Sequence, residues 1–247
     1  IIAISVIFGP SFIIEKISAL NQILIQPLQG RWNTTVAENR QPYFTEWVGT
    51  FGKFVFWTFV IGSILLFNKM LHKSKKKQTI ILTACYIFFL FGLIFSRYSQ
   101  NSAVLNGGGL ISKGLYYGSS LILACVFGYY YLKNHKEGDN SFEDVEFEYI
   151  LLFSLFFLTL FTARSAVRLI MVLVPIAPIF MAYLIAETGT MSMKENDKTY
   201  KWIFAAIAIF LLAFSAYQAY SFYKEIKATS YSYVPSYYTI QWQQAMS

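Results

Sequence analysis

Residues 31–47, RWNTTVAENRQPYFTEW, gather Arg31, Arg40, Glu38, Glu46, Pro42 and an Asn33-Thr34-Thr35 triplet into one polar loop of a chain that is only 13% charged. Glu38 is the residue there whose type and spacing raise the question of chemistry. Thr35-Val36-Ala37-Glu38 fits the capping box, in which a hydroxyl residue and a Glu three positions later satisfy the first amides of a helix. Pro42 opposes that reading, because a helix begun at Thr35 would meet it in the second turn, where the missing N–H and the ring clash cost about 3 kcal/mol. The pattern leaves a helix cap and a functional carboxylate both open.

Other chemistry-bearing residue types are poorly placed. Cys85 and Cys125 fall inside apolar runs and read as buried thiols, not as a disulfide or a metal pair. His72 and His135 stand in polar connectors without Cys or carboxylate partners at ligand spacing. Gly107-Gly108-Gly109 lacks the lysine and hydroxyl residue of a phosphate loop and reads as a flexible turn.

The elements that must position Glu38 are set by the solvent. With 56% hydrophobic and 19% aromatic residues over 247 positions, the chain exceeds the apolar content of an ordinary soluble domain, about 45–50%. Crossing a hydrocarbon core takes roughly 20 apolar residues in a helix, which satisfies its own backbone groups there. The apolar runs predict an all-α, polytopic transmembrane helical bundle of about seven spans: 1–20, 52–71, 79–96, 114–132, 149–163, 167–186 and 202–222. Residues 1–223 then form the transmembrane domain, with a loop over 21–51, and residues 224–247 form a tyrosine-rich tail. The chain opens without methionine and ends as a new amphipathic segment begins, so we expect a piece of a longer polypeptide, truncated at both ends.

Orientation follows from basic residues, which are enriched in cytoplasmic loops. The connectors 72–78, 133–148 and 188–201 carry nine lysines and no arginine. Placing them in the cytoplasm puts the loop 21–51, the glycine triplet, Arg164, Arg168 and the tail outside. The net charge of +7 does not point to nucleic acid, because the lysines are spread over inter-span loops and no nucleic-acid module is visible.

The stretch TVAENRQP (35–42) resembles the external-loop motif of oligosaccharyltransferase catalytic subunits, Ser/Thr-x-x-Glu followed closely by Gln-Pro. AVRLIMVLVP (166–175) resembles the same family's segment with an arginine at the external end of a span and a proline further in. YYTIQWQQAMS (237–247) resembles the approach to the family's soluble C-terminal domain. The resemblance covers nearly the whole chain, as the second half of a GT-C membrane domain. In the family four spans follow the acidic loop, whereas six follow it here; the surplus pair is 79–96 and 114–132, and an even insertion keeps the later loops on their side.

The resemblance implies roles for particular residues. Glu38 matches the glutamate beside a divalent metal, Mg2+ or Mn2+, that also hydrogen-bonds the acceptor asparagine's carboxamide. An amide nitrogen is a poor nucleophile because its lone pair is delocalised into the carbonyl. A carboxylate accepting from the N–H groups acts by positioning and electrostatics, and a hard cation stabilises the leaving pyrophosphate. Thr35 and Val36 flank it along the acceptor groove. Arg168 matches the arginine on the lipid-linked phosphate, a permanently charged planar fork suited to phosphate oxygens; the alternative is an arginine snorkelling to the interface. Arg164, four residues earlier on the same helical face, lies outside the motif and reads as an interface anchor.

The partners implied are a polyprenyl-linked oligosaccharide donor, an acceptor polypeptide with N-x-Ser/Thr, and the lipid bilayer. Asn33-Thr34-Thr35 makes the chain itself a candidate acceptor. The family's other metal-binding aspartates and its Trp-Trp-Asp motif lie outside the present residues, so the chain alone is expected to be inactive. Two other classes remain: a multi-span transporter, which predicts charges near mid-span and paired broken helices, and a different GT-C enzyme moving a single sugar from a lipid phosphate.

Overall fold

The computed structural model describes residues 40–142 and 144–232, together with Ser11, Ile14, Glu15, Ser18 and Gln244. The expected first span (1–20), the loop residues Thr35, Val36 and Glu38 and most of the tail therefore lie outside the described residues. Between residues 40 and 232 seven α-helices follow in order: α1 Phe44–Phe51, α2 Lys53–Met70, α3 Lys76–Phe95, α4 Leu110–Glu137, α5 Phe147–Ser165, α6 Ala177–Lys194 and α7 Lys198–Ser232. Two 3-10 segments, Asn140–Phe142 and Val167–Val172, lie between α4 and α5 and between α5 and α6. Among the described residues the only strand-like pairing is an isolated antiparallel bridge between Arg97 and Asn106.

Among the described residues five helices, α2, α3, α4, α5 and α7, are long and apolar enough to cross a membrane. They coincide with the expected spans 52–71, 79–96, 114–132, 149–163 and 202–222. Their boundaries have local causes. Gly52 separates α1 from α2 with φ 77°, a left-handed backbone that favours glycine. Gly138 closes α4 with φ 70°, the usual αL stop, after His135 and Lys136 in the last turn. Glu148 in the first turn of α5 and Arg164 in its last suit the helix dipole.

The chain divides into two compact units, residues 1–184 and 185–247, with the boundary inside α6. In the first unit, α2 to α5 enclose an aromatic core. Phe67 stacks on Tyr86 at 4.2 Å between ring centroids, Phe153 meets both edge-on, and Phe156 packs against Phe180 at 4.7 Å. Helices in lipid associate through close packing rather than hydrophobic expulsion, so small residues sit where backbones approach. A Cβ on Gly92 of α3 would come within 2.1 Å of the Ser119 hydroxyl of α4, and one on Gly62 of α2 within 2.1 Å of the Phe180 carbonyl oxygen. The pair 79–96 and 114–132 is thus integrated: α3 packs on α4, and its Phe89 contacts Phe157 and Phe161 of α5.

The expected span 167–186 is a correction. Val167–Val172 is a 3-10 segment, turns follow, and α6 begins only at Ala177. Pro175 has no N–H for an α-helical bond and its ring would clash with the preceding turn, while Pro178 is tolerated in the first turn of α6. The chain bridges the gap with short-range bonds such as Leu173 N–H to Ile170 O and Ile176 N–H to Leu173 O, both 3.0 Å. In the second unit, α7 continues nine residues past the expected domain boundary at 223, reaching Ser232. At 1.5 Å per residue it is about 50 Å long, more than a hydrocarbon core of about 30 Å requires.

Candidate functional site

The polar loop leaves the undescribed segment at Arg40, and Pro42 keeps the chain out of helical structure until Phe44. The carboxylate that reaches back to the start of this helix is Glu46, which accepts the Tyr43 backbone N–H and pairs with the Arg40 guanidinium. Glu46 is therefore already engaged. Two backbone bonds tie the loop to distant segments: Val167 N–H donates to the Arg40 carbonyl at 2.9 Å, and Phe44 N–H donates to the Arg97 carbonyl at 3.0 Å.

Arg164 lies at the centre of this junction and is only 4% exposed. Its Nε donates to the Leu93 carbonyl at 3.1 Å, Nη1 to the Gln41 Oε1 at 3.1 Å and Nη2 to the Ser96 hydroxyl at 3.5 Å. Its guanidinium also lies 5.3 Å from the Tyr116 ring centroid. The interface-anchor reading of Arg164 is thereby corrected. Helix α5 ends at Ser165 and Ala166 is extended, with φ −152° and ψ 146°, so Arg164 and Arg168 do not share a helical face. Arg164 turns inward and Arg168 is exposed, with no hydrogen bond or ion pair among the described residues. An exposed guanidinium at a bundle end remains able to meet a phosphate.

A second guanidinium joins the first. Arg97 Nη1 donates to the same Gln41 Oε1 at 3.4 Å, and its Cζ lies 4.3 Å from the Tyr43 ring centroid. Its Nε is buried without an acceptor. Burial pushes the Arg97 guanidinium below its ordinary range and the Arg40 charge acts in the same direction, while Tyr43 and Glu46 oppose them. Two cations therefore face one neutral amide oxygen. The glycine triplet serves this arrangement sterically: Gly107 has φ 81°, and a Cβ there would come within 2.4 Å of the Arg97 Cγ. Asn106 Oδ1 closes the turn by accepting the Gly108 and Gly109 N–H groups, each at 2.9 Å.

Glu38, assigned to Mg2+ or Mn2+, lies outside the described residues with Thr35 and Val36. Among the described residues no three His, Cys, Asp or Glu side chains group as metal ligands. Glu46, the carboxylate at this end, is committed to Arg40 and the Tyr43 amide. The described residues do not by themselves fit a divalent metal, and no chemical step is derived through one.

Sequence reasoning missed Arg97 and gave Gln41 no role of its own. Arg97 carries a signal, an arginine immediately beyond an apolar span at the same end as Arg164. Gln41 carries only its place in the Gln-Pro pair that follows the Glu38 motif. No protein-family model, curated protein or solved structure matches the chain.

Proposed function

We propose that the chain forms part of a membrane oligosaccharyltransferase that transfers a glycan from a polyprenyl phosphate or pyrophosphate carrier to asparagine in N-x-Ser/Thr, with the arginine-bearing end of the bundle facing outward. One observation carries the reading. The carbonyl of Arg40, two residues after Glu38, accepts the N–H of Val167, the neighbour of Arg168. The two stretches that carry the family resemblance are far apart in sequence and meet at one end of the bundle.

In this reading Arg168 holds the carrier phosphate with its planar fork. Glu38 orients the acceptor carboxamide, flanked by Thr35 and Val36. The asparagine nitrogen forms a bond to the first carbon of the glycan, that carbon's bond to the phosphate oxygen breaks with the electron pair leaving on the phosphate, and the nitrogen releases one proton. Glu38 is the residue of this chain that would contribute to holding Mg2+ or Mn2+, an ion that would stabilise the charge on the leaving phosphate.

The test is Glu38→Gln in the full-length protein, given lipid-linked donor and an N-x-Thr peptide. Removing one positioned charge of this kind lowers turnover by about 100-fold or more. Undiminished glycopeptide formation at unchanged expression removes Glu38 from the mechanism.

A further inference from the structure

We infer that Arg164 is a positioning residue, acting through Gln41 to fix the exit of the acid-bearing loop beside the segment that carries Arg168. Arg164 is buried with a full charge, and its partners are the Gln41 amide oxygen, the Leu93 carbonyl, the Ser96 hydroxyl and the Tyr116 ring. Among the described residues Arg164 has no counter-ion; a buried charge of that kind is expensive, and stability alone does not favour retaining it, since apolar replacements of similar volume are often neutral or better. Arg97 adds a like charge on the same oxygen.

What the arrangement gains is geometric. The three donors of Arg164 join two parts of the chain: Nε and Nη2 reach Leu93 and Ser96 at the C-terminal end of α3, and Nη1 reaches Gln41 in the loop. A guanidinium is a rigid fork, so satisfying all three at once fixes their relative positions in a way one ammonium does not. The bond from Val167 N–H to the Arg40 carbonyl lies beside this fork and joins the same loop to the residue preceding Arg168. Gln41 is 1% exposed, so this contact is shielded from competing water. Two peptide units join Glu38 to Arg40. The clasp therefore fixes the chain at Arg40, where it leaves the stretch that carries Glu38, beside the segment of Arg168.

The clasp itself stands on the contacts between described residues; its catalytic consequence rests on the function proposed above. The experiment separates them by measuring backbone deuterium uptake over residues 40–48 and glycopeptide turnover in full-length protein in lipid nanodiscs. Arg164→Lys keeps the charge and loses the fork, Gln41→Ala removes the shared acceptor while leaving Arg164 its other partners, and Gln41→Glu keeps an acceptor in place. Faster uptake over 40–48 is expected in Arg164→Lys and Gln41→Ala, with protection retained in Gln41→Glu. Turnover at saturating donor and peptide is expected to fall about 10-fold in the first two variants, as for a displaced catalytic group, with the peptide KM little changed.

Unchanged uptake in both Arg164→Lys and Gln41→Ala overturns the clasp. Faster uptake with unchanged kcat overturns its positioning role. A wild-type protein without transferase activity overturns the proposed function, while the uptake comparison still decides the clasp. Should Arg164→Lys fail to fold, Gln41→Ala against Gln41→Glu gives the same decision.

Discussion

The two ends of the bundle handle polar groups in opposite ways. At the lysine-rich end, Gln78 and Asn134 exchange two hydrogen bonds, at 2.9 and 3.1 Å, inside the contact of α3 with α4. Around them Lys75 pairs with Glu137 at 2.8 Å and Asp139 at 3.6 Å, and Lys73 donates to the Asp144 carbonyl at 3.0 Å. At the arginine end, two guanidiniums share one amide oxygen and the nearby Glu46 is spent on Arg40. The first end buries neutral partners and leaves its ions in water, where screening makes them cheap. The second buries cations that neutral groups satisfy only in part. Local agreement of sequence and fold is relaxed most often where a structure serves something other than its own stability.

Substitutions at the two ends sharpen this contrast. Asn134→Leu leaves the buried Gln78 NH2 without its acceptor, while the Ser74 hydroxyl still donates to the Gln78 oxygen, and is expected to cost about 1–3 kcal/mol in denaturant unfolding of the bundle. Adding Gln78→Leu is expected to restore most of that loss, because the two amides exchange both bonds and the remaining partner, the half-buried Ser74 hydroxyl, can turn to water. Failure of the double variant to recover would show that the lysine end also depends on a wider network, and the contrast would disappear.

Gln41→Glu is the next largest effect and has the opposite sign. A carboxylate between Arg97 and Arg164 is expected to stabilise the first unit by about 1 kcal/mol, since hydrogen bonds to charged groups exceed neutral ones by about that much. Flanked by two cations, its folded pKa lies below its unfolded value. The gain is present at neutral pH and is lost as pH falls through the folded value. A melting temperature unchanged or lowered at neutral pH would mean that the arginine end has no excess positive charge to neutralise.

The smallest effect is expected at Lys75. Its contacts with Glu137 and Asp139 raise its pKa, with the Glu137 hydrogen bond the largest cause. Hydrogen bonds from the Ser141 hydroxyl and backbone N–H hold Asp139 below the ordinary carboxylate range, with Lys75 adding to them. The Asp139 contribution is therefore present above its unfolded pKa and lost as pH falls through the lower folded value. The Lys75 contribution is present below its unfolded pKa and lost as pH rises through the higher folded one. All these groups are exposed to solvent, so Lys75→Ala is expected to leave the melting temperature within error at neutral pH and moderate salt. A shift of several degrees would give the lysine end a buried ionic character as well.

The legibility of the chain follows the same division. Five spans could be read from apolar runs because each run is contiguous and each helix closes its own hydrogen bonds. Residues 167–186 were misread for a related reason: hydropathy counts side chains and ignores the N–H that Pro175 lacks. Arg164 and Arg168 lie four residues apart, a spacing that means one face only while a helix continues. The extended Ala166 interrupts the helix between them and sends one inward, the other outward. Gln41 was illegible because nothing within several residues of it explains why its amide is buried.

The sequence by itself determined that the described chain is helical and apolar enough in five places to cross a membrane, since both properties belong to contiguous windows of about 20 residues. Only the tertiary structure decided which arginine is buried and what it holds. Burial of a charge depends on acceptors brought from Gln41, Leu93 and Ser96, segments far from Arg164 in sequence, and their convergence is fixed by how the helices pack.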